Sequence, residues 1–291
     1  MILISTIKEM QAWISEKKYK GNTIGFVPTM GFLHEGHLSL AEQAKHENDY
    51  LVMSIFVNPL QFGEGEDFDQ YPKDRNRDEK LARELGADVL FVPKVKEMYP
   101  REMSATFIVK GMDVLCGASR PGHFNGVATV VMKLFAIVSP NRAYFGLKDA
   151  QQVAVIERLV EDYHLQIEIV RGSTVREEDG LAKSSRNVNL TENERAEAPH
   201  IFQTLQEMKK LIINEGILET GLLEKQFQQL LTQRISGKID YAEIKSFPEL
   251  KSINKIEDEV LIATAIKYSK VRLIDNVVIK KNEIKGEPGG I

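Results

Sequence analysis

Two histidines spaced three residues apart follow the first strongly apolar run of the sequence. His34 and His37 lie in residues 28–37, together with Gly31 and Gly36, and a helical pattern follows. Residues three apart share one face of a helix, and the first turn of a helix favours phosphate groups. Two imidazoles there can donate hydrogen bonds to phosphoryl oxygens, so the segment predicts a phosphate site. The alternatives are an exposed pair with no ligand, and a metal site, for which no third ligand has the usual spacing.

A second cluster of polar residues lies in residues 180–187. Two hydroxyls, Ser184 and Ser185, stand between Lys183 and Arg186. Hydroxyls and cations in this pattern can surround an anion. Taken alone the pattern is weak, because these residue types are common in exposed loops.

A third segment, residues 144–152, again contains a strand, a glycine and a helix start. Lys148 could reach a phosphate, and Asp149 could bind a ribose hydroxyl. Asp149 could equally be a structural carboxylate at the N-terminus of the helix.

Amides and a further histidine mark two more segments. Asn58 and Gln61 follow an apolar run, and an amide at the end of a buried strand can fix a small polar substrate. An Asn-Pro step is more often only a turn. His123, in residues 119–126, has a capping or packing role as its alternative.

Apolar runs alternate with helical patterns through the first half of the chain. The runs predict strands at 23–27, 50–57, 88–92, 143–145 and 166–170, and helices at 35–45, 74–85, 124–138 and 150–163. This alternation predicts an α/β fold with a Rossmann-type, doubly wound parallel sheet. Ligands of such sheets bind at the carboxyl ends of the strands, so the loops after Val27, Val57 and Phe145 are the expected places for chemistry.

The pattern changes near residue 176. Thr191 and Glu194 have the spacing of a capping box. Helices are predicted to about residue 234, and strands at 239–245, 260–266 and 271–274. We therefore expect a Rossmann-like domain over 1–175, a smaller C-terminal α+β lid domain over 176–285, and a flexible tail at 286–291.

Composition excludes several classes of protein. The 291 residues carry a net charge of −4, which argues against a protein built to hold nucleic acid. The single cysteine, Cys116, cannot form an internal disulfide. No apolar run is long enough for a membrane span, and no signal peptide is evident. We expect a cytoplasmic protein with neither a nucleic-acid nor a membrane partner.

The five segments, in their order along the chain, resemble those of the pantoate–β-alanine ligase family, the pantothenate synthetases. The similarity is strongest from about residue 20 to 195, in residues 28–37, 56–62, 120–124, 146–152 and 179–187. The His pair and the Ser-Ser-Arg segment also resemble the signatures of the wider nucleotidyltransferase and class I aminoacyl-tRNA synthetase superfamily.

The resemblance implies a two-step reaction of a cytoplasmic homodimer. Pantoate attacks the α-phosphorus of ATP, with Mg²⁺, and forms pantoyl adenylate and pyrophosphate. β-Alanine then displaces AMP and gives pantothenate. The alternatives are another adenylyl- or cytidylyltransferase, a tRNA synthetase, which the short acidic chain disfavours, and a nucleotide-binding regulator without catalysis.

The resemblance also assigns residues to roles. His34, His37 and Lys148 are expected to be catalytic. The expected ATP contacts are Met30, Gly31, Phe32, Leu33, His34, Glu35, Gly36, His37, Gly146, Leu147, Lys148, Asp149, Val175, Lys183, Ser184, Ser185 and Arg186. Gln61 and Gln152 are expected to bind pantoate, and Gln61 and Asn58 β-alanine. Asp78 is a tentative position for Mg²⁺ held through ATP.

Overall fold

A computed structural model describes residues 1–63, 68 and 71–284. The predicted tail at 286–291 lies outside these residues. Helices and strands alternate in the first part of the chain, as the sequence predicts. The strands there are β1 (Ile2–Ile4), β2 (Ile24–Thr29), β3 (Tyr50–Ile55), β4 (Val89–Phe91), β5 (Arg142–Gly146) and β6 (Glu168–Gly172). The helices are α1 (Ile7–Tyr19), α2 (Glu35–Glu47), α3 (Arg75–Glu84), α4 (Val95–Met98), α5 (Cys116–Ser119), α6 (His123–Val138) and α7 (Ala150–Asp162).

All of the strands just named pair in parallel. Within the described residues they form one six-stranded sheet in the order β1-β4-β3-β2-β5-β6. Strands later in the chain therefore lie on both sides of β2, which confirms the doubly wound α/β prediction. The order reverses between β2 and β5, which pair through Gly25 and Phe26. Ligands of doubly wound sheets bind at such a reversal, beyond the carboxyl ends of the strands.

Apolar side chains explain why helices cover this sheet. Leu40, Ala41 and Ala44 lie on one side of α2 and pack on Val27 and Met53 of the neighbouring strands. The near-helical spacing of these residues is the pattern that predicted α2. The same packing places the first turn of α2 directly after the end of β2.

The first twenty residues contain two elements that the sequence patterns did not predict. Strand β1 has three residues, and only Ile4 of them is buried. In α1 only Met10 and Ile14 are buried, so its apolar stripe is too narrow to give a clear helical pattern.

The C-terminal part of the chain forms a separate small sheet. Helices α8 (Glu192–Glu197), α9 (Pro199–Ile213) and α10 (Thr220–Arg234) precede strands β7 (Lys238–Ser246), β8 (Val260–Lys267) and β9 (Arg272–Ile279). These three strands are antiparallel in the order β7-β8-β9. Thr191 and Glu194 form the predicted capping box, and the small α+β architecture is confirmed.

Strand β9 is twice as long as predicted. The predicted strand 271–274 ended before Asp275 and Asn276, whereas β9 continues through both of them to Ile279. The prediction was wrong at this end because polar residues usually interrupt a buried strand. Here both side chains are buried and hydrogen-bonded.

Contacts between Cα atoms divide the chain into two units. Unit 1 comprises Met1–Gly111, Arg120–Leu147 and Val155–Val175, and unit 2 comprises Met112–Ser119, Lys148–Ala154 and everything from Arg176 onward. The last change of unit falls between Val175 and Arg176. In the described part of the chain, no helix is long and apolar enough to cross a membrane.

Candidate active site

The segment after β2, residues 30–37, is called the histidine loop below. Gly31 and Phe32 both have positive φ, 89° and 51°, a conformation that glycine adopts easily and phenylalanine rarely. A Cβ atom at Gly31 would lie 3.0 Å from the Asp78 carboxylate. The loop therefore needs glycine here, and something outside it must hold Phe32 in its strained conformation.

Asp78, on the first turn of α3, holds the histidine loop by its main chain. Its carboxylate oxygens accept hydrogen bonds from the Phe32 and Leu33 N–H groups at 2.8 and 2.7 Å. The neighbouring Arg77 donates to the Leu33 carbonyl at 2.8 Å. Asp78 is 1% exposed, and this burial raises its pKa, against the two main-chain hydrogen bonds, which favour the ionised form.

His34 and His37 are also tied to the main chain at the start of α2. His34 is the N-cap, and its Nδ1 accepts from the Gly36 N–H at 3.2 Å. The His37 Nδ1 accepts from the His34 N–H at 3.4 Å, a long hydrogen bond. The ring centroids are 4.1 Å apart. Because each Nδ1 accepts, a neutral ring carries its proton on Nε2, and both rings can act as donors through that atom.

The histidine loop does not fit a resident metal ion. Both oxygens of Asp78, the tentative Mg²⁺ position, accept main-chain N–H groups. No group of three His, Cys, Asp or Glu residues capable of holding a metal occurs in the described residues. The sequence prediction of Mg²⁺ at Asp78, held through ATP, stays a prediction.

The Asn58–Gln61 turn after β3 presents an amide. Gln61 is 8% exposed, and its Oε1 accepts from the Asn58 Nδ2 at 3.2 Å. Asn58 also donates to the Gly126 carbonyl at 3.1 Å and accepts from the Tyr99 hydroxyl at 2.8 Å and the Leu60 N–H at 3.3 Å. These bonds use both amide protons and both lone pairs of Asn58, so in this geometry Asn58 orients Gln61.

The segment 120–126 supports the same turn from the other side. The Gln61 carbonyl accepts from His123 Nδ1 at 2.7 Å and from Arg120 at 3.3 Å. A Cβ atom at Gly126 would overlap the Leu60 carbonyl, so α6 approaches the turn backbone to backbone. The sequence left a capping or packing role open for His123. Its hydrogen bond to the Gln61 carbonyl is a structural contact of the turn.

In unit 2, Lys148 and Asp149 lie in a short 3-10 turn just before α7. The Lys148 ammonium is 3.8 Å from the Asp149 carboxylate, and its carbonyl accepts from Asn276 at 2.9 Å. The side chain of Lys148 is 21% exposed and that of Asp149 is 49% exposed. The Lys148 side chain therefore extends from a main chain that Asn276 holds.

The adjacent glutamines of α7 differ in their surroundings. Gln151 is buried, accepts from the Cys116 N–H at 2.9 Å and donates to the Met112 and Val114 carbonyls. Gln152 is half-buried. The Gln151 side chain therefore binds the main chain of residues 112–116, and its neighbour Gln152 is the residue predicted to bind pantoate.

Residues 176–187, called the serine–arginine segment below, begin with a hairpin closed by main-chain pairing of Arg176 with Ala182. Arg176 binds Asp275 through two hydrogen bonds of 2.7 and 2.9 Å. Lys183 pairs with Glu177 at 2.8 Å. The Ser184 hydroxyl accepts from the Arg186 N–H at 3.3 Å and caps the turn that follows.

The predicted site residues divide between the two units. Unit 1 contains the histidine loop, Asn58, Gln61 and Asp78. It also contains the predicted ATP contacts Gly146, Leu147 and Val175. Unit 2 contains Lys148, Asp149, Gln152 and Lys183 to Arg186. Side-chain hydrogen bonds hold Asp78, Asn58 and Gln61 in unit 1, and the main chain of Lys148 in unit 2.

Several residues of these networks were missed from the sequence. They are Arg77, Tyr99, Gln151, Asp275 and Asn276. The polar pair inside the apolar run of β9 was the one available signal, because polar residues are buried in a sheet only when they have partners.

Comparisons with known proteins show the family to which the chain belongs. The family model for pantoate-beta-alanine ligase matches residues 2–278. A pantothenate synthetase of Halalkalibacterium halodurans is 52% identical over 97% of this chain and 100% of its own. One from a Geobacillus species is 54% identical over 96% of this chain and 99% of its own.

Solved structures give the same result. The pantothenate synthetase of Thermus thermophilus has a TM-score of 0.89 and 42% identity, covering 95% of this chain and 99% of its own. The pantoate-beta-alanine ligase of Francisella tularensis, complexed with β-γ ATP and β-alanine, has a TM-score of 0.76 and 36% identity, covering 97% and 98%. This protein therefore belongs to the pantoate–β-alanine ligase family.

Proposed function

We propose that the protein joins pantoate to β-alanine at the expense of ATP, through a pantoyl adenylate. The observation that carries the proposal is the histidine loop. It presents two imidazoles with Nδ1 tied to the main chain, at the start of a helix that follows a central strand. Family membership and the Francisella relative, whose structure contains β-γ ATP and β-alanine, support the choice of substrates.

In the first step, a pantoate carboxylate oxygen attacks the α-phosphorus of ATP. The bond from that phosphorus to the bridging oxygen breaks, and pyrophosphate leaves with its electron pair. The Nε2–H groups of His34 and His37 stabilise the charge that develops on the phosphoryl oxygens. Lys148, Lys183 and Arg186 supply positive charge, and we assign the segment from Met30 to His37 to contacts with ATP.

In the second step, the amine of β-alanine attacks the acyl carbon of the adenylate. The acyl–oxygen bond breaks, AMP leaves, and the amine loses a proton as the amide forms. We assign Gln61 to both pantoate and β-alanine and Gln152 to pantoate. Asn58 acts on β-alanine through the Gln61 amide that it orients. No covalent bond to the enzyme is needed in either step.

Three parts of the proposal rest on the family resemblance. They are that Mg²⁺ enters bound to ATP, that the protein works as a homodimer, and that it is cytoplasmic. Omitting Mg²⁺ tests the first, sedimentation of the purified protein tests the second, and fractionation of cells tests the third.

Two half-reactions test the central proposal. ATP with pantoate should release pyrophosphate, and adding β-alanine should then give AMP and pantothenate in equal amounts. Pyrophosphate release with no product that depends on β-alanine would instead indicate a nucleotidyltransferase. ATP binding without turnover would indicate a regulator.

A further inference from the structure

Two adjacent residues in the middle of β9, Asp275 and Asn276, connect the parts of unit 2 that we assign to ATP. They are 5% and 8% exposed. Side chains of adjacent residues in a strand point to opposite faces of the sheet, so the two can reach different segments. One holds the turn before α7, and the other holds the serine–arginine segment.

Asn276 holds the main chain of Lys148. Its Nδ2 donates to the Lys148 carbonyl at 2.9 Å, across 128 positions of sequence. A lysine ammonium is mobile on its long stem, so the position of its main chain decides which volume it can reach. Asn276 therefore limits where the Lys148 charge can lie.

Asp275 holds the base of the serine–arginine segment. Its two oxygens accept from Arg176 at 2.7 and 2.9 Å, the bidentate geometry with the highest directional specificity. Arg176 also donates to the Gly180 carbonyl at 3.0 Å and stacks on the Phe202 ring at 3.5 Å. Arg176 thus links the hairpin that leads into Lys183 to the Asp275 carboxylate.

The strand that carries both residues is itself well held. Asp275 and Asn276 pair in register with Thr264 and Ala263 of β8, the central strand of the small sheet. Asp275 Oδ1 also accepts from the main-chain N–H of Asn276 at 2.8 Å, which ties the Asp275 side chain to the backbone that carries Asn276. A shift of one would therefore alter the other.

We propose that Asp275 and Asn276 are positioning residues of the nucleotide site, which set Lys148 and the serine–arginine segment on one strand. The proposal rests on the ATP contacts assigned to those segments above. It makes binding of the nucleotide dependent on two buried residues that touch no substrate. A displacement of about 1 Å in such a support can lower a rate by about 100-fold.

The experiment compares Asn276→Ala and Asp275→Asn with the matched control Thr264→Val. Thr264 is buried on β8 beside Asp275, and its hydroxyl donates to the Tyr241 carbonyl at 2.8 Å. The control therefore loses one buried hydrogen bond of the same sheet and leaves both segments held. Asn276→Gln keeps the amide donor and serves as the conservative variant.

The first measurement is hydrogen exchange of the full-length protein without nucleotide, which is independent of activity. Asn276→Ala should speed exchange in residues 147–154, and Asp275→Asn in residues 176–187. The strands β7 and β8 should stay protected. Equal loss of protection throughout the small sheet, or the same pattern in Thr264→Val, would overturn the proposal and leave only a structural role.

The second measurement is release of pyrophosphate from ATP and pantoate. We expect kcat/KM for ATP to fall about 10- to 100-fold in Asn276→Ala and Asp275→Asn, less in Asn276→Gln, and not in Thr264→Val. If kcat/KM for ATP were unchanged in both variants although hydrogen exchange was locally faster, the positioning role would be overturned. If the wild-type protein released no pyrophosphate, the proposed function would fail, while the exchange experiment would still show whether β9 holds the two segments.

Discussion

The histidine loop and the serine–arginine segment are both assigned to ATP, yet different kinds of contact hold them. In the histidine loop one buried carboxylate, Asp78, accepts from two consecutive main-chain N–H groups. In the serine–arginine segment, Arg176 and Asp179 bind residues outside the segment through ion pairs between side chains. Arg176–Asp275 is buried, whereas the Lys183–Glu177 and Arg195–Asp179 pairs are partly exposed.

This difference separates a fixed backbone from an adjustable one. Main-chain hydrogen bonds determine φ and ψ directly, and they hold Phe32 at a positive φ that it would not adopt alone. Exposed ion pairs are weak and are screened by salt. We therefore expect the histidine loop to be preformed and the serine–arginine segment to respond to its ligand and to ionic strength.

Removing the buried carboxylate should have the largest effect. Asp78→Ala leaves the Phe32 and Leu33 N–H groups without acceptors, and each buried unpaired group costs about 1–3 kcal/mol. The free energy of unfolding should fall by about 2–6 kcal/mol, measured by denaturant titration. Asp74→Ala is the control, since it removes only the N-cap of α3, which is worth about 1 kcal/mol. Equal losses in the two variants would show that Asp78 does not anchor the loop.

The catalytic assignment predicts the next largest effect. His37→Ala should slow pantoate-dependent pyrophosphate release about 10²–10³-fold, as for other single donors to a developing anion. His46→Ala, in the last turn of the same helix, should leave the rate unchanged. Lys148→Ala tests the other unit in the same assay. Near-normal rates in both His37→Ala and Lys148→Ala would refute the assigned roles.

Acid should weaken the sheet that anchors the serine–arginine segment. Burial opposes ionisation of Asp240 on β7, but Lys267, Ser119 and Arg272 hold its pKa at about 2. Because this is below the usual value near 4, the stabilisation is present above pH 4 and is lost as the pH falls from 4 towards 2. Allowing for partial exposure, Asp240→Asn should cost about 1–2 kcal/mol at pH 7 and little at pH 2.

The control for this acid effect is Asp258→Asn, which removes an exposed ion pair with Lys281. It should leave the free energy of unfolding nearly unchanged at pH 7. Chemical denaturation of the two variants and the wild-type protein, from pH 7 to pH 2, gives the comparison. If the difference in free energy of unfolding between wild type and Asp240→Asn stayed constant over this range, the pKa of Asp240 would not be lowered by folding.

The smallest effect concerns the exposed contact of the serine–arginine segment. Glu177→Gln removes one ion pair of Lys183 and should change the free energy of unfolding by less than about 1 kcal/mol. Thermal unfolding in low and high salt should show that even this difference vanishes when charges are screened. A larger loss that persists in high salt would mean that the segment is as firmly anchored as the histidine loop.

The pattern of apolar residues predicted the central strands and helices well, but it did not predict β1, α1 or the end of β9. Apolar runs such as 50–57 and 88–92 carry their own signal, because a strand buried on both faces needs apolar residues throughout. Strand β1 and helix α1 bury too few residues to produce such a signal. The end of β9 was missed because Asp275 and Asn276 resemble a turn until their distant partners are known.

The candidate site shows the same limit. The residue types at His34, His37 and Lys148 indicate phosphate chemistry without any coordinates. Their supports do not, since Asp78 lies 45 positions beyond Leu33 and Asn276 lies 128 beyond Lys148. A single sequence does not show which distant residues contact each other. A carboxylate that accepts main-chain N–H groups also has no characteristic residue type beside it in the sequence.

The close approach of α6 to the Asn58–Gln61 turn has a consequence for substrate engineering. Because position 126 has room only for hydrogen beside the Leu60 carbonyl, any larger residue must push the turn, and the Gln61 amide with it. Gly126→Ala would thus move the Gln61 amide, which we propose contacts β-alanine, without changing a residue assigned to substrate. Libraries that seek ligases for homologues shorter or longer than β-alanine should therefore vary this helix position before they vary the residues that touch substrate.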